Sequence, residues 1–302
     1  MAQFTFKQIE AFVHVTDLCS FRRAAEKLNT TQPNISSRIS ALEAQLGLRL
    51  LERDAGSVQP TPVGQSLLPK ARQVLRAMDD FLVTAGEDHL FEGVLRLGVT
   101  EMIVHTWLGT YLTALKDKFP NIDVDLTVDV SANLSPALYN RSIDLALQSG
   151  PFSRQTSGGE KLGDFALVWV AAPDLGFGNR ILSLRDLAQH PVLTHARGTL
   201  PYEQLKDHIA ASPTPLAVRL VPSTNLAACL QMTRDGFGVA NLPRAIVRDD
   251  LSRGHLTQLR YLWTPDALSF HARYDADTSP AFVAEAARLA RDISGQSRQT
   301  AG

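Results

Sequence analysis

The sequence predicts an α/β chain in two parts, a small helical head closed by a β-hairpin and, beyond one long helix, a larger α/β body. Three observations predict it. Apolar residues recur at helical spacing through the first 46 positions and then give way to a turn-rich tip; a long helical seam follows from about residue 61 to 87; and from residue 93 onward strand-like and helix-like segments alternate. At 302 residues the chain is long for one domain and natural for two.

In the head, Phe6, Ile9, Phe12 and Val13 form one apolar stripe and Phe21, Ala24, Ala25 and Leu28 a second. The segment Asp17 to Ser20 separates them, with Ser20 placed to cap the second helix. A third helix starts after Asn29-Thr30-Thr31, with Thr31 as its cap and Pro33 in the first turn, where a missing N–H costs little. Its apolar residues Ile35, Ile39, Leu42 and Leu46 lie on one stripe, and Gly47 ends it. The segment RLLERDAGSVQPTPVGQ then enters a turn-rich tip at Asp54 to Ser57 and returns through Val58 to Pro60, the pattern of a small wing. Leu67, Leu68, Ala71, Val74, Leu75, Met78, Phe81 and Leu82 make the seam of the long helix. So much apolar surface on one helix predicts packing against a second chain.

In the body the expected strands are 93–99, 123–130, 144–149, 165–172, 191–195, 216–221, 238–242, 256–262 and 267–274, with helices notably at 107–119, 202–211, 225–234 and 281–293. Such alternation predicts largely parallel sheets with crossover helices, in sufficient number for two sheets.

Composition narrows the function. Hydrophobic residues at 44% and charged residues at 20% are those of an ordinary globular chain. No run of about 18 apolar residues occurs, and the N-terminus MAQFTFKQIE lacks the basic stretch and apolar core of a signal peptide, which predicts a cytoplasmic protein without a membrane partner. The two cysteines, Cys19 and Cys229, supply neither a disulfide framework nor a CxxC metal or redox site. GxSxG, HExxH, P-loop and strand-linked GxGxxG motifs are missing, and DGFGVANLP, with Gly236 and Gly238, reads as a turn; neither an enzyme nor a cofactor is expected. The net charge of −1 divides unevenly: ten Lys/Arg face six acids in residues 1–78, a net +4, leaving −5 for the rest. A basic head on an acidic body suits a nucleic-acid partner without proving one.

Residues 20–46 fit a helix-turn-helix. Ala24 and Ala25 are small enough for close helix approach, and the third helix turns Gln32, Pro33, Asn34, Ser36, Ser37 and Arg38 to its leading end and outer faces. Gln and Asn pair bidentately with adenine in the major groove, at about 1–3 kcal/mol of discrimination per good pair, and short Ser side chains let a helix sit deep. A helical hairpin with a solvated polar face is the alternative.

The stretch SFRRAAEKLNTTQPNISSRISALEAQLGLRLLERDAGSVQPTPVG resembles the N-terminal winged helix-turn-helix of LysR-type transcriptional regulators, through Ser20-Phe21, Ala24-Ala25, Leu28, Gln32-Pro33, Ser36, Ile39, Leu42-Glu43, Leu46-Gly47, Leu50 to Arg53, and Thr61 with Gly64. With the long helix and the α/β remainder, the resemblance covers essentially the whole chain. It implies a winged helix-turn-helix at 4–61, a linker and dimerisation helix at 62–90, and at 91–302 a periplasmic-binding-protein-like two-lobed α/β effector domain, with subdomain I at 91–163 and 268–302 and subdomain II at 164–265. It further implies double-stranded promoter or operator DNA as partner, a small-molecule effector, a homodimer joined into a homotetramer, and RNA polymerase. Arg53 resembles the family's wing residue that contacts the DNA backbone or minor groove. Ser37 and Gly56 stand where the family usually has arginines, with Arg38 one position on, so fewer phosphate contacts and a shallower salt dependence are expected.

By the same resemblance an effector is expected between the lobes, where strand ends and helix N-termini converge. The residues there are Thr100, Glu101, Ser131, Gln148, Ser149, His195, Arg197, Thr199 and Asn225. Arg197 is the expected carboxylate anchor, or else an ordinary surface arginine. Glu101 favours a cationic or hydroxyl-bearing ligand, or complements a helix dipole. His195 is a structural histidine or a ligand contact. The competing function is a small-molecule receptor whose N-terminal helices mediate protein contacts only.

Overall fold

The computed structural model describes residues 4–54, 57–85, 91–213 and 216–299. The chain divides into two compact units, Met1–Asp88 with Pro280–Phe282, and His89–Ser279 with Val283–Gly302. No helix among the described residues is long and apolar enough to cross a membrane.

The first unit contains α1 (Phe6–Leu18), α2 (Phe21–Lys27), α3 (Gln32–Leu46), the antiparallel hairpin β1 (Leu51–Asp54) and β2 (Ser57–Pro60), and α4 (Pro62–Ala85). Apolar stripes from the three short helices meet in one core of Ala11, Phe12, Val15, Phe21, Ala24, Ala25, Ile35, Ile39 and Leu42, closed by Leu50, Leu51 and Val58 from the hairpin. The Ser20 hydroxyl accepts the Arg23 N–H at 3.3 Å and so caps α2. Thr31 stands at the cap position of α3 with extended backbone, but its side chain makes no capping bond.

The seam of α4 divides. Leu67, Leu68 and Ala71 pack on the core of the first unit, whereas Val74, Met78 and Phe81 are 46, 42 and 67% exposed. The stripe expected to meet a second chain is therefore in part consumed within its own. The side chain of Leu82, the last residue of that stripe, lies outside the described residues.

The second unit runs β3 (Gly93–Val99), α5 (Glu101–Val104), α6 (Leu108–Lys118), β4 (Ile122–Val128), α7 (Ser131–Tyr139), β5 (Leu145–Ser149), β6 (Gly158–Phe165), β7 (Leu167–Ala171), β8 (Ile181–Leu182), α8 (Leu184–Leu187), β9 (Val192–His195), α9 (Leu200–Ala210), β10 (Leu220–Ser223), α10 (Leu226–Arg234), β11 (Val239–Pro243), α11 (Arg244–Arg253), β12 (Thr257–Gln258), β13 (Arg260–Tyr261), β14 (Leu268–Tyr274) and α12 (Ala281–Gln299). Two five-stranded sheets result, ordered β4-β3-β5-β14-β6 and β10-β9-β11-β7-β12, each the floor of one lobe.

Each sheet is mixed rather than largely parallel. β3 runs parallel to β4 and β5, but β14 is antiparallel to β5 and β6, and β7 is antiparallel to β11 and β12. The chain passes between lobes at Ala166 and again between β13 and β14, so the expected strand 165–172 breaks: Asp164 and Phe165 pair with Ser269 and Leu268 in the first sheet, and β7 starts the second. The expected strand 256–262 likewise splits at Leu259, with β12 in the large sheet and β13 paired to β8. Gly236 takes φ +72°, and a Cβ on Gly238 would stand 2.2 Å from the Pro191 carbonyl oxygen, so these glycines serve a tight helix-to-strand turn.

Candidate nucleic-acid interface and effector cleft

Ile35, Ile39 and Leu42 bury one face of α3. That face fixes what remains outside: Gln32, Pro33, Asn34 and Ser37 are exposed, and Ser36 and Arg38 half-buried. The Asn34 side-chain N–H donates to the Thr30 hydroxyl at 3.2 Å, which steadies the leading end of the helix. Arg38 is turned about 100° from Ser37 towards the inner stripe, so it is a poor substitute for an outward arginine at position 37. Arg53 lies on β1 in register with Val58, but its side chain lies outside the described residues, as does Gly56.

Three polar devices tie the elements of the first unit together. Glu43 Oε1 accepts the N–H groups of Leu50 at 2.7 Å and Leu51 at 3.2 Å. The Thr61 hydroxyl donates to the Arg49 carbonyl at 2.7 Å and accepts the Gly64 N–H at 3.0 Å. An ion pair between Arg72 and Asp17 joins α4 to α1. Arg23 and Arg49, not singled out by the sequence pattern, are exposed.

In the second unit a cleft of about 1190 Å³ opens where β3, β4 and β5 of one lobe end opposite the β9–α9 and β10–α10 junctions of the other. Thr100, Glu101, Ser131, Ser149, His195, Thr199 and Asn225 line it. Gln148 and Arg197 do not. Gln148 is fully buried behind the wall, where its amide donates to the Ser131 carbonyl at 3.1 Å and accepts from Arg273 Nη1 at 2.9 Å. Arg197 is exposed, beside Gly198 at φ +78°, which turns the chain so that Ala196, Gly198 and Thr199 face the cleft instead. The expected carboxylate anchor is thus not on the cleft wall.

Glu101 stands in the first turn of its own short helix, and its carboxylate is already engaged. Its carboxylate crosses to the opposite lobe, accepting the N–H groups of Leu226 at 2.6 Å and Ala227 at 3.0 Å, with His105 Nε2 3.3 Å away. Asn225 Oδ1 accepts the next N–H, that of Ala228, at 2.6 Å. The N-terminal donors of α10 are therefore met by Glu101 and Asn225, with the charge placed where the helix dipole favours it.

Other polar groups on the wall are less committed. The Ser131 hydroxyl accepts the Ser149 N–H at 3.1 Å and lies 3.3 Å from the Ser149 hydroxyl. Thr100 Oγ1 and His195 Nε2, on side chains 9 and 8% exposed, have no hydrogen-bond partner among the described residues. Burial holds the His195 imidazole at a pKa of about 4, so it is neutral near pH 7. Burial also pushes the Cys229 thiol up, and its Sγ approaches the Thr194 carbonyl at 3.7 Å.

The sequence pattern missed Arg273, which is 4% exposed. Its guanidinium stacks 3.9 Å from the centre of the Phe152 ring and donates to the Tyr139 hydroxyl at 2.9 Å, to the Arg154 carbonyl and to Ser135 Oγ at 3.4 Å. It braces the wall from behind.

A winged helix-turn-helix in one unit and a cleft between two α/β lobes in the other define a ligand-responsive DNA-binding regulator. Residues 6–65 match the bacterial regulatory helix-turn-helix of the lysR family, and residues 88–292 match the LysR substrate binding domain. The chain belongs to the LysR family of transcriptional regulators, which bind DNA and respond to an effector. A probable hydrogen peroxide-inducible genes activator of Mycobacterium leprae is 31% identical over 246 residues, covering 80% of this chain and 78% of the relative. The HTH-type transcriptional regulator GltR of Bacillus subtilis is 25% identical over 280 residues, covering 91% and 93%. Among solved structures, a cysteine mutant of OxyR from Corynebacterium glutamicum superposes with a TM-score of 0.60 at 24% identity, covering 99% of this chain and 95% of that one, and ArgP from Mycobacterium tuberculosis with 0.59 at 21%, covering 95% and 96%.

Proposed function

We propose that α3 reads base edges in the major groove with Gln32, Pro33, Asn34, Ser36, Ser37 and Arg38, while Arg53 on the wing anchors the DNA backbone. Residues 4–61 act as the reading head, 62–90 as the linker, and 91–302 as the effector domain. The exposed stripe Val74, Met78 and Phe81 supports pairing of two α4 helices into a dimer, two dimers form the tetramer, and RNA polymerase is a further partner at the promoter. The protein works in the cytoplasm, where its DNA is, and is assigned no reaction of its own.

The effector sits between the lobes against Thr100, Ser131, Ser149, His195, Thr199 and Asn225. One observation carries this reading: a cleft of about 1190 Å³ opens between the lobes, lined by Thr100, Ser131 and Ser149 from one and by His195, Thr199 and Asn225 from the other. A ligand that binds one arrangement of the lobes better than another shifts the spacing of the heads by that difference in affinity.

The names of several relatives refer to hydrogen peroxide. A peroxide-reactive thiol is not supported here, because Cys229 is buried with its pKa raised and Cys19 belongs to the other unit. The reading is tested by gel retardation with DNA from upstream of the coding sequence, with and without candidate effectors found by thermal shift. Loss of an effector response in Ser149→Trp, with DNA retention intact, supports it; an unchanged response counts against it.

A further inference from the structure

The cleft already contains a bound carboxylate, and the chain supplies it. The first-turn N–H groups of α10 form the kind of seat that receives an anionic ligand. Glu101 fills that seat from the opposite lobe through bonds of 2.6 and 3.0 Å, and Asn225 takes the donor beside it. The other carboxylate on the wall, Asp129, is engaged by its neighbours' Val130 N–H at 2.7 Å and Asn133 amide at 2.8 Å.

The lining residues include no lysine and no arginine. Arg273 is buried behind Ser135 and Tyr139 and lies off the wall, its charge spread over the Phe152 ring, a hydroxyl and a carbonyl. What the wall offers a ligand besides its two engaged carboxylates and His105 beside Glu101 is uncharged, with the hydroxyl-bearing Ser131, Ser149 and Thr199 among the lining residues.

We infer that Glu101 sets the charge of the effector: by occupying the anion seat of α10 it excludes carboxylates and leaves the cleft to an uncharged molecule bearing hydroxyl, carbonyl or amide groups. The inference rests on the cleft being the effector site. Two consequences follow from the geometry. An entering acid meets two fixed carboxylates and has no free cation, so it binds only by displacing Glu101. An uncharged ligand leaves that cross-lobe contact in place and lies against Ser131 and Ser149 on one side and Thr199 on the other.

The test uses the full chain and three acid–amide pairs of matched shape: acetate and acetamide, succinate and succinamide, benzoate and benzamide. Affinities are read by calorimetry or ligand-detected NMR for the wild type, Glu101→Ala and Glu101→Gln, with thermal melting confirming that each variant is folded. The wild type should prefer the amide of each pair. Glu101→Ala, with its seat vacated, should shift the acid-to-amide preference towards the acid by about tenfold or more, the scale of a charge at a partly buried helix N-terminus. Glu101→Gln, which keeps the shape and loses the charge, should shift it less. A preference unchanged between wild type and Glu101→Ala, or a Glu101→Ala chain that takes none of the three acids, overturns the inference and leaves the cleft reading standing. Probe binding that survives Ser149→Trp places the site elsewhere and overturns the cleft reading itself.

Discussion

Gly64 lies against the carbonyl of Leu50 so closely that a Cβ there would stand 2.2 Å from the oxygen. The first turn of α4 is thereby pressed onto the strand entering the wing, with Thr61 bonded across the same junction. Gly64→Ala must push this junction apart, at about 1–3 kcal/mol. Chemical denaturation should show the head destabilised by that amount while the transition of the larger unit is unchanged. Glu43→Ala, which strands the N–H groups of Leu50 and Leu51, should act in the same direction.

Arg273 should be costly to replace. Truncation to Ala empties a buried volume against Phe152 and leaves Gln148, the Tyr139 hydroxyl and the Arg154 carbonyl with fewer partners. We expect a loss of about 3 kcal/mol, read as a lowered denaturation midpoint of the larger unit. Arg273→Lys should recover only part of it, since a lysine cannot reproduce the planar stack.

Two histidines set an acid limit on stability. Burial lowers the pKa of His195 to about 4, and burial with help from the nearby Lys27 cation lowers that of His14 to about 4, against 6.5 for the free side chain. Between those values the unfolded chain binds protons that the folded chain refuses. Their stabilising contribution is therefore complete above about pH 6.5 and is lost as pH falls towards 4, by up to about 3 kcal/mol for each ring. Denaturation midpoints measured from pH 7.5 to 4.5 should fall, and His195→Gln should fall less steeply in the larger unit.

The exposed Phe81, with Met78 and Val74 on the same face of α4, should be needed for pairing. Phe81→Glu puts a charge into that stripe and should raise the dimer dissociation constant by at least about tenfold, since a buried aromatic anchor contributes about 2 kcal/mol or more to an interface. Sedimentation velocity over a concentration series reads it, and an unchanged distribution would place the dimer contact elsewhere.

Salt dependence follows from position 37. Restoring an outward arginine with Ser37→Arg should steepen the slope of log K against log salt by about 0.9, one added phosphate contact. Arg38→Ala should change it less, because Arg38 is half-buried beside the inner stripe.

The head was legible in the sequence because its determinants are local. The stripe Ile35, Ile39 and Leu42, the Ser20 cap and the Gly47 terminus each act within a few residues. The α4 seam was legible as a stripe, but a stripe does not say what covers it, and Leu67, Leu68 and Ala71 turn out to serve their own unit. In the body, β6 escaped notice because GGEKLGDF is glycine-rich and charged, as an edge strand tolerates. α7 was hidden by Pro136 within it. The strand ends could be read from the alternation, and the resemblance placed the cleft at them. Which side chains face it could not: Arg197 sits one residue before a left-handed glycine, and Glu101 finds its partners 125 residues away in the other lobe.

The central claim is that the side chains at the leading end of α3 read DNA sequence. It is tested most directly by comparing the wild type with the double variant Gln32→Ala/Asn34→Ala on a duplex selected by the wild type from a random pool, with an unrelated duplex as control, at fixed salt. With about 1–3 kcal/mol of discrimination per bidentate pair, specific affinity should fall by at least about tenfold while binding to the unrelated duplex stays the same. Full specific binding by the double variant, or a wild type that selects no sequence at any salt, would contradict the account.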